Sequence, residues 1–332
     1  MDRTVAHAVL APYREALYHR GHDLDAVRAA LAETFAPDAV IHLCHPFGDA
    51  VGGEGLLDAA LAPLIAAMPD LERREVIAVA GEAHGEAWVG HCGHYVGTLD
   101  APFLGIPATG RVAQMRHHEF FRVANGRVVE MQAIWDVPAL MMQAGAWPMA
   151  PSLGVEWMSP APATGDGLTP ANGDPDAALR LVIGMLNGLQ RHADGGPEAM
   201  GLGERWHEKM LWYGPAGIGT MRGIGGFRRD HQIPFLNAMP DRRGADETPV
   251  FFAEGHYVAT TGWPNMHMSV TGGGWLGITP PGREITMRSL DFWREEGGLL
   301  RENWVLVDLL HVWDQLGVDV LARMAELTFH RR

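Results

Sequence analysis

Two stretches of this 332-residue chain read as one module written twice. The first has GHYV at residues 93–96 and FLGIPATGR at 103–111; the second has GHYV at 255–258 and WLGITPPGRE at 275–284. Each is followed by a strand-like segment, a turn, and another strand ending at Asp136 or Asp308. Any fold assigned to the chain must satisfy this repeat, because each copy has to be a unit of the same design. Upstream signals repeat as well. Gly52, Gly53 and Gly55 match Gly223, Gly225 and Gly226. The helical segments after them close on the same tripeptide, Met68-Pro69-Asp70 and Met239-Pro240-Asp241.

Residues 146–175 are rich in proline and glycine, which cannot sustain a helix or a central strand. The expected division is therefore module one at 1–147, a linker at 148–175 and module two at 176–332. Module one opens with helical patterns at 5–18 and 24–35 and a short strand at 39–44. Leu57, Leu61, Leu64, Ile65 and Met68 then recur at helical spacing, with Pro63 interrupting. Module two opens on Asp174-Pro175, a good N-cap and first-turn pair. Its strand at 210–213 corresponds to the one at 39–44. Helices first and strands after predict an α+β fold in each module rather than alternating βαβ units.

The formal charge of −14 argues against nucleic acid or an anionic membrane as a general partner, since phosphate binding needs basic patches. Cys44 and Cys92 are the only cysteines, without CxxC spacing, which predicts no disulfide framework and a reducing compartment. The opening residues show neither a signal-peptide core nor a membrane span, so a cytoplasmic protein is expected. Gly223–Gly226 lacks a following Lys-Ser/Thr, so it reads as turn chemistry and not a phosphate loop.

Chemistry-bearing residues fall on the late strands. Glu130, Gln132, Ile134 and Asp136 alternate in module one; Glu302, Trp304, Leu306 and Asp308 alternate in module two. Even spacing on a strand predicts one shared face. A carboxylate among apolar neighbours there is a usable acid or base, whereas an Asp at a strand end equally suits a helix N-cap. The preceding strands carry Met115, His117, Glu119 and Phe121, and Met287, Ser289, Asp291 and Trp293, with an acid at the same place twice. His94 and His256 hold the same position of the two GHYV copies, either as proton shuttles or as buried core imidazoles. Residues 261–274, with Trp263, read as a long inserted loop able to act as a lid. Module one also carries His42, His45, His84, His91 and His118. No zinc-type ligand spacing accompanies them, and His91 and His94 alternate to opposite faces.

FLGIPATGR, the Asn125-Gly126 turn and Gly126-Arg127-Val128-Val129-Glu130 with Asp136 resemble the SnoaL-like polyketide cyclases and ester cyclases of the nuclear transport factor 2-like superfamily. Gln132 replaces that family's Trp, whereas Glu302, Trp304 and Asp308 match it fully, after a looser turn at 279–283. The resemblance covers about residues 25–145 and 200–320. It implies two tandem cone-shaped α+β barrels. In each, a curved, mostly antiparallel sheet wraps on helices around an apolar pocket, and the two pack as an intramolecular pseudo-dimer. It also implies an Asp acid/base at positions matching Asp136 and Asp308, with no cofactor. The candidate catalytic set is Asp136, His94, His117, Glu119, Asp308 and His256. Candidate substrate contacts are His42, Gln132, Trp304, Asp291, Trp88 and Trp263, with no metal ligand assigned. The leading expectation is a cofactor-free enzyme, an isomerase or lyase in type, acting on a small enolisable carbonyl compound. Its step would be aldol cyclisation, isomerisation, dehydration or elimination. A non-catalytic small-molecule binder or scaffold, and a metal-assisted hydrolase using the module-one histidines, remain open. So does homo-oligomerisation.

Overall fold

Asp174 starts its helix as its position demands. Its side chain accepts from the N–H groups of Asp176 and Ala177, and Pro175 takes the first helical position of Pro175–Leu189. Asp23 caps Leu24–Thr34 in the same manner through the N–H of Ala26. The computed structural model describes residues 3–170, 172–245, 249–278 and 282–329. It divides the chain into residues 1–149 with 308–332, and residues 150–307.

This division differs from the expected one at both ends of module two. The proline-rich stretch from residue 150 belongs to the second unit, where Val155 bridges to Thr220 and the N–H of Ala163 donates to the Glu302 carboxylate. The C-terminal segment belongs to the first unit. There the Asp308 carboxylate accepts from the N–H of His45 at 3.0 Å, and Trp313 packs on Trp147 with ring centroids 5.6 Å apart.

In the first unit six described strands form one sheet: β1 (Phe35–Leu43), β2 (Asp49–Val51), β3 (Glu72–Ala83), β4 (Glu86–Thr98), β5 (Val112–Ala124) and β6 (Arg127–Trp135). Their order is β2-β1-β6-β5-β4-β3, antiparallel except for β1 with β6. The second unit repeats the plan with β7 (Trp206–Tyr213), β8 (Thr220–Arg222), β9 (Arg243–Gly244), β10 (Val250–Glu254), β11 (Tyr257–Ser269), β12 (Glu284–Glu296) and β13 (Leu299–Val307). The order there is β10-β11-β12-β13-β7-β8, with β7 and β13 parallel and β9 added to β11. Helices preceding a mixed sheet make each unit α+β, as the repeat predicted.

Several repeated signals hold in detail. Asp70 and Asp241, closing the two Met-Pro-Asp tripeptides, accept from the backbone N–H of Thr98 and Ser269, the last residues of β4 and β11. The Leu-Gly pairs of FLGIP and WLGIT make the same tight turn, with Leu104 and Leu276 at φ of 51° and 50° and bridges Phe103–Ile106 and Trp275–Ile278. The glycine-rich helices Gly52–Leu56 and Gly223–Phe227 each run into a π-helical turn before a proline-containing helix. Leu57, Leu61, Leu64, Ile65 and Met68 are buried, so Pro63 widens this helical region without removing its apolar face.

The GHYV copies are not equivalent. Gly93 lies within β4, paired with Glu75 and His117, whereas Gly255 and His256 form the turn between β10 and β11. That turn matches His84-Gly85 of the first unit. Glycine is required at the two places for different reasons. At Gly93 a side chain would overlap the carbonyl oxygen of Arg74 and approach His117 Nε2 to 2.8 Å. At Gly255 the backbone takes a φ of 56°, which an L side chain disfavours. Nor is 261–274 a loop throughout, since β11 continues to Ser269. It contains a bulge in which Trp263, Pro264 and Asn265 oppose Arg288 alone. Because Gly93 is fixed by backbone on a neighbouring strand, Gly93→Ala is expected to cost about 1–3 kcal/mol. That lowers the melting temperature of the first unit by about 3–10 °C. Calorimetry checks this, and an unchanged transition would show that β3 can yield.

Candidate active site

The strands of the first unit bring a carboxylate into the middle of its apolar core. Glu119 on β5 stands opposite His91 of β4 and Ala133 of β6, and is completely buried. Its Oε2 accepts from Arg73 Nη2 at 2.7 Å and from the Tyr13 hydroxyl at 3.2 Å. Its Oε1 accepts from the Tyr95 hydroxyl at 2.9 Å and from Trp135 Nε1 at 3.0 Å. Arg73 also pairs with Glu75, and its Nη2 lies 3.3 Å from His91 Nδ1. Four donors on one carboxylate satisfy the requirement that a buried charge be paired and hydrogen-bonded.

His117 sits beside this group. Its Nδ1 is 3.9 Å from Glu119 Oε1 and its ring centroid is 4.9 Å from that of Tyr95. Neither ring nitrogen has a hydrogen-bond partner among the described residues, although the side chain is fully buried. Burial, and then the Arg73 charge, hold the His117 imidazole well below its usual pKa, and the same two causes act on His91. Both rings are therefore neutral. Burial, followed by the Glu119 charge, raises the Tyr13 and Tyr95 phenols, which stay protonated as donors. For Arg73, burial opposes the charge, but Glu119 and the two phenols outweigh it and keep the guanidinium cationic.

The other sequence candidates lie elsewhere. His94 is opposite Arg116 and Gln132 opposite Phe120, on the sheet face away from Glu119. Asp136 shares that face, 3.6 Å from Arg116 Nη2, and so does Trp88, opposite Arg122. Burial and then Arg116 push His94 down to about 4. Gln132 donates to Glu130 at 2.8 Å. These groups thus do not converge with His117 and Glu119. His42 is paired with Asp49 at 2.9 Å in the β1–β2 hairpin. Asp308 accepts from the N–H of His311 at 3.2 Å, as the N-cap of Leu309–Gln315. In the second unit His256 pairs with Glu295 at 2.6 Å in its turn, and Trp304 stacks on Tyr213 with centroids 5.5 Å apart. Trp263 lies 4.6 Å beneath the Arg288 guanidinium. Asp291 occupies on β12 the rung that Glu119 holds on β5. Among the described residues no three His, Cys, Asp or Glu side chains gather as a metal site.

Sequence reasoning missed Arg73, Tyr13, Tyr95, Trp135 and the inward aim of His91. Tyr95 was within reach, being in alternating phase with His91 and Gly93.

Residues 9–144 match the SnoaL-like polyketide cyclase family. IdmH of Streptomyces antibioticus, a proposed polyketide cyclase, is 30% identical over 42% of this chain and 97% of its own, with a TM-score of 0.34. The chain belongs to the SnoaL-like polyketide cyclase family. A proposed SnoaL-like polyketide cyclase of Jannaschia sp. CCS1 is 27% identical over 42% of this chain and 89% of its own, with a TM-score of 0.35. AclR of Streptomyces galilaeus, a proposed hydroxylase, is 20% identical over 45% and 91%, with a TM-score of 0.37. Each covers less than half of this SnoaL-like chain, the length of one module. No curated protein matches the sequence. No helix among the described residues is long and apolar enough to cross a membrane.

The neutral imidazoles of this SnoaL-like module give its stability a defined pH dependence. An unfolded histidine titrates near about 6.5, whereas folded His91, His94 and His117 resist protonation. Below that pH the unfolded chain binds protons that the folded chain refuses. Stability is therefore complete above it and falls with pH by about 1.4 kcal/mol per pH unit for each such ring. For His94 the loss continues to about 4. His117→Gln is expected to reduce this slope by one proton in urea unfolding at a series of pH values. An unchanged slope would mean that folded His117 is already protonated.

Proposed function

We propose that the SnoaL-like module at residues 9–144 is a cofactor-free acid/base catalyst for a small enolisable carbonyl compound, with His117 as its base. The observation that carries this reading is a neutral, fully buried imidazole whose two nitrogens have no hydrogen-bond partner among the described residues, beside a saturated carboxylate and two protonated phenols. Buried polar atoms without partners call for a ligand, a water or a chemical task.

In this reading the substrate enters beside His117 by displacing side chains of helix Ala11–His19, whose Tyr13 covers Glu119. The unprotonated imidazole nitrogen removes a proton next to the carbonyl. Tyr95 turns its hydroxyl from Glu119 to the forming enolate oxygen and stabilises it by a hydrogen bond. Glu119, whose oxygens are occupied by donors, is not the base. Its charge offsets the imidazolium at 3.9 Å. The enolate then attacks an internal carbonyl, expels a β substituent, or is reprotonated at another carbon. Cyclisation, elimination and isomerisation share the first step.

A second reading, a small-molecule binder, is favoured by the use of Asp308 as a cap and the pairing of Asp136 with Arg116. The two separate on α-proton exchange. Wild-type chain in deuterated buffer is expected to accelerate exchange of a β-diketone, followed by proton NMR. His117→Gln should slow that exchange by about 10²–10⁴-fold, while Asp308→Asn changes stability alone. Exchange that survives His117→Gln, or no acceleration across a panel of β-diketones and β-keto esters, would move the function to binding.

A further inference from the structure

The second unit keeps an acid on the same rung of the sheet but removes everything that held it. Asp291 pairs with Thr260 of β11 and Val305 of β13, as Glu119 pairs with His91 and Ala133. The rung that carries Trp135 opposite His117 carries Val307 opposite Ser289. The rung that carries Tyr95 opposite Met115 carries Met266 opposite Met287, directly after the Trp263–Asn265 bulge. β10, the counterpart of β3, pairs with β11 only from Val250 and brings no arginine to this face. Helix Pro175–Leu189 buries Ala178, Val182 and Met185, none of them titratable.

Asp291 is left with one long contact, from the Ser289 hydroxyl to Oδ2 at 3.5 Å. Its Oδ1 is buried and has no hydrogen-bond partner among the described residues, while the residue as a whole keeps partial exposure. Two residues along the same face, the Nε1–H of the buried Trp293 has no partner among the described residues either. A carboxyl group and an indole N–H, neither of them satisfied, thus share one face of β12 near a bulge, and bulges commonly re-aim side chains next to binding sites.

We propose that the second module holds a separate site for a neutral, largely apolar small molecule whose carbonyl or hydroxyl oxygen accepts a hydrogen bond from the Asp291 carboxyl group. Burial pushes this carboxyl up to about 8, opposed by the Ser289 hydroxyl, and no charged side chain among the described residues contributes. At neutral pH it is mostly the acid, so it donates. An anionic ligand would lose its solvation here without a cation in return. Trp293 offers the second donor and a flat apolar wall. The site does not depend on the chemistry assigned to His117.

The test is equilibrium binding of 2-acetylnaphthalene to the full chain, read by fluorescence. Saturable binding is expected at pH 6.5, weakening about tenfold or more by pH 9.5 as Asp291 ionises. Asp291→Asn keeps a donor of the same shape and should bind without that pH dependence. Asp291→Leu should lose about tenfold at pH 6.5 while retaining the near-ultraviolet circular dichroism of the folded chain. No saturable binding, binding that Asp291→Leu retains, or a wild-type affinity independent of pH would overturn the proposal.

Discussion

The first unit is organised around a fully buried ion pair. Arg73 and Glu119 are both fully buried, and removing two such charges from solvent costs several kcal/mol per ion before any attraction is counted. The fold offsets that cost by converging on the pair. β3 supplies the cation, β5 the anion, β4 and β6 the Tyr95 hydroxyl and the Trp135 indole, and helix Ala11–His19 the Tyr13 hydroxyl. Burial holds His91 and His117 neutral and the two phenols protonated, and the guanidinium and the carboxylate add to these effects. The charge states used for chemistry follow from burial in this core, reinforced by the ion pair at its centre.

The two modules share one sheet plan, with such a centre in one copy and not in the other. The sheet plan, the Leu-Gly turns and the Asp70 and Asp241 contacts survive in both. The second unit instead sets its buried arginine on the opposite face, where Arg294 donates to Glu302 at 2.6 Å and Tyr213 adds a hydroxyl at 3.2 Å. Its inner acid, Asp291, is left without a cation. One scaffold therefore presents a charged, saturated carboxylate in one unit and a neutral carboxyl group in the other.

Much of this architecture could be read from the residues because it rests on local chemistry. Asp174-Pro175 is a cap whatever follows it, and the Leu104 and Leu276 turns need their flanking glycines wherever they occur. The site was harder to read because it depends on strand parity. Alternation from Ile77 and Val79 places Arg73 on their face, but a register shift between Glu75 and Ile77 moves it to the other. The GHYV match misled for a related reason: four residues fit a turn in one unit and a strand in the other, so His94 and His256 share letters without sharing a place. Glu119 and His117 were legible as an alternating pair. That Asp136 and His94 face away from them becomes visible only from the pairing of β5 with its neighbours.

The most direct test of the ion pair's organising role is a double-mutant cycle on Arg73 and Glu119, measured by urea unfolding of the full chain at neutral pH. Arg73→Met and Glu119→Leu should each cost about 3–5 kcal/mol, because either leaves a buried charge alone. The double variant should cost far less than their sum, giving a coupling of about 2 kcal/mol or more. Additive losses would contradict the account, showing that the two charges are held independently and that the core is specified by something else.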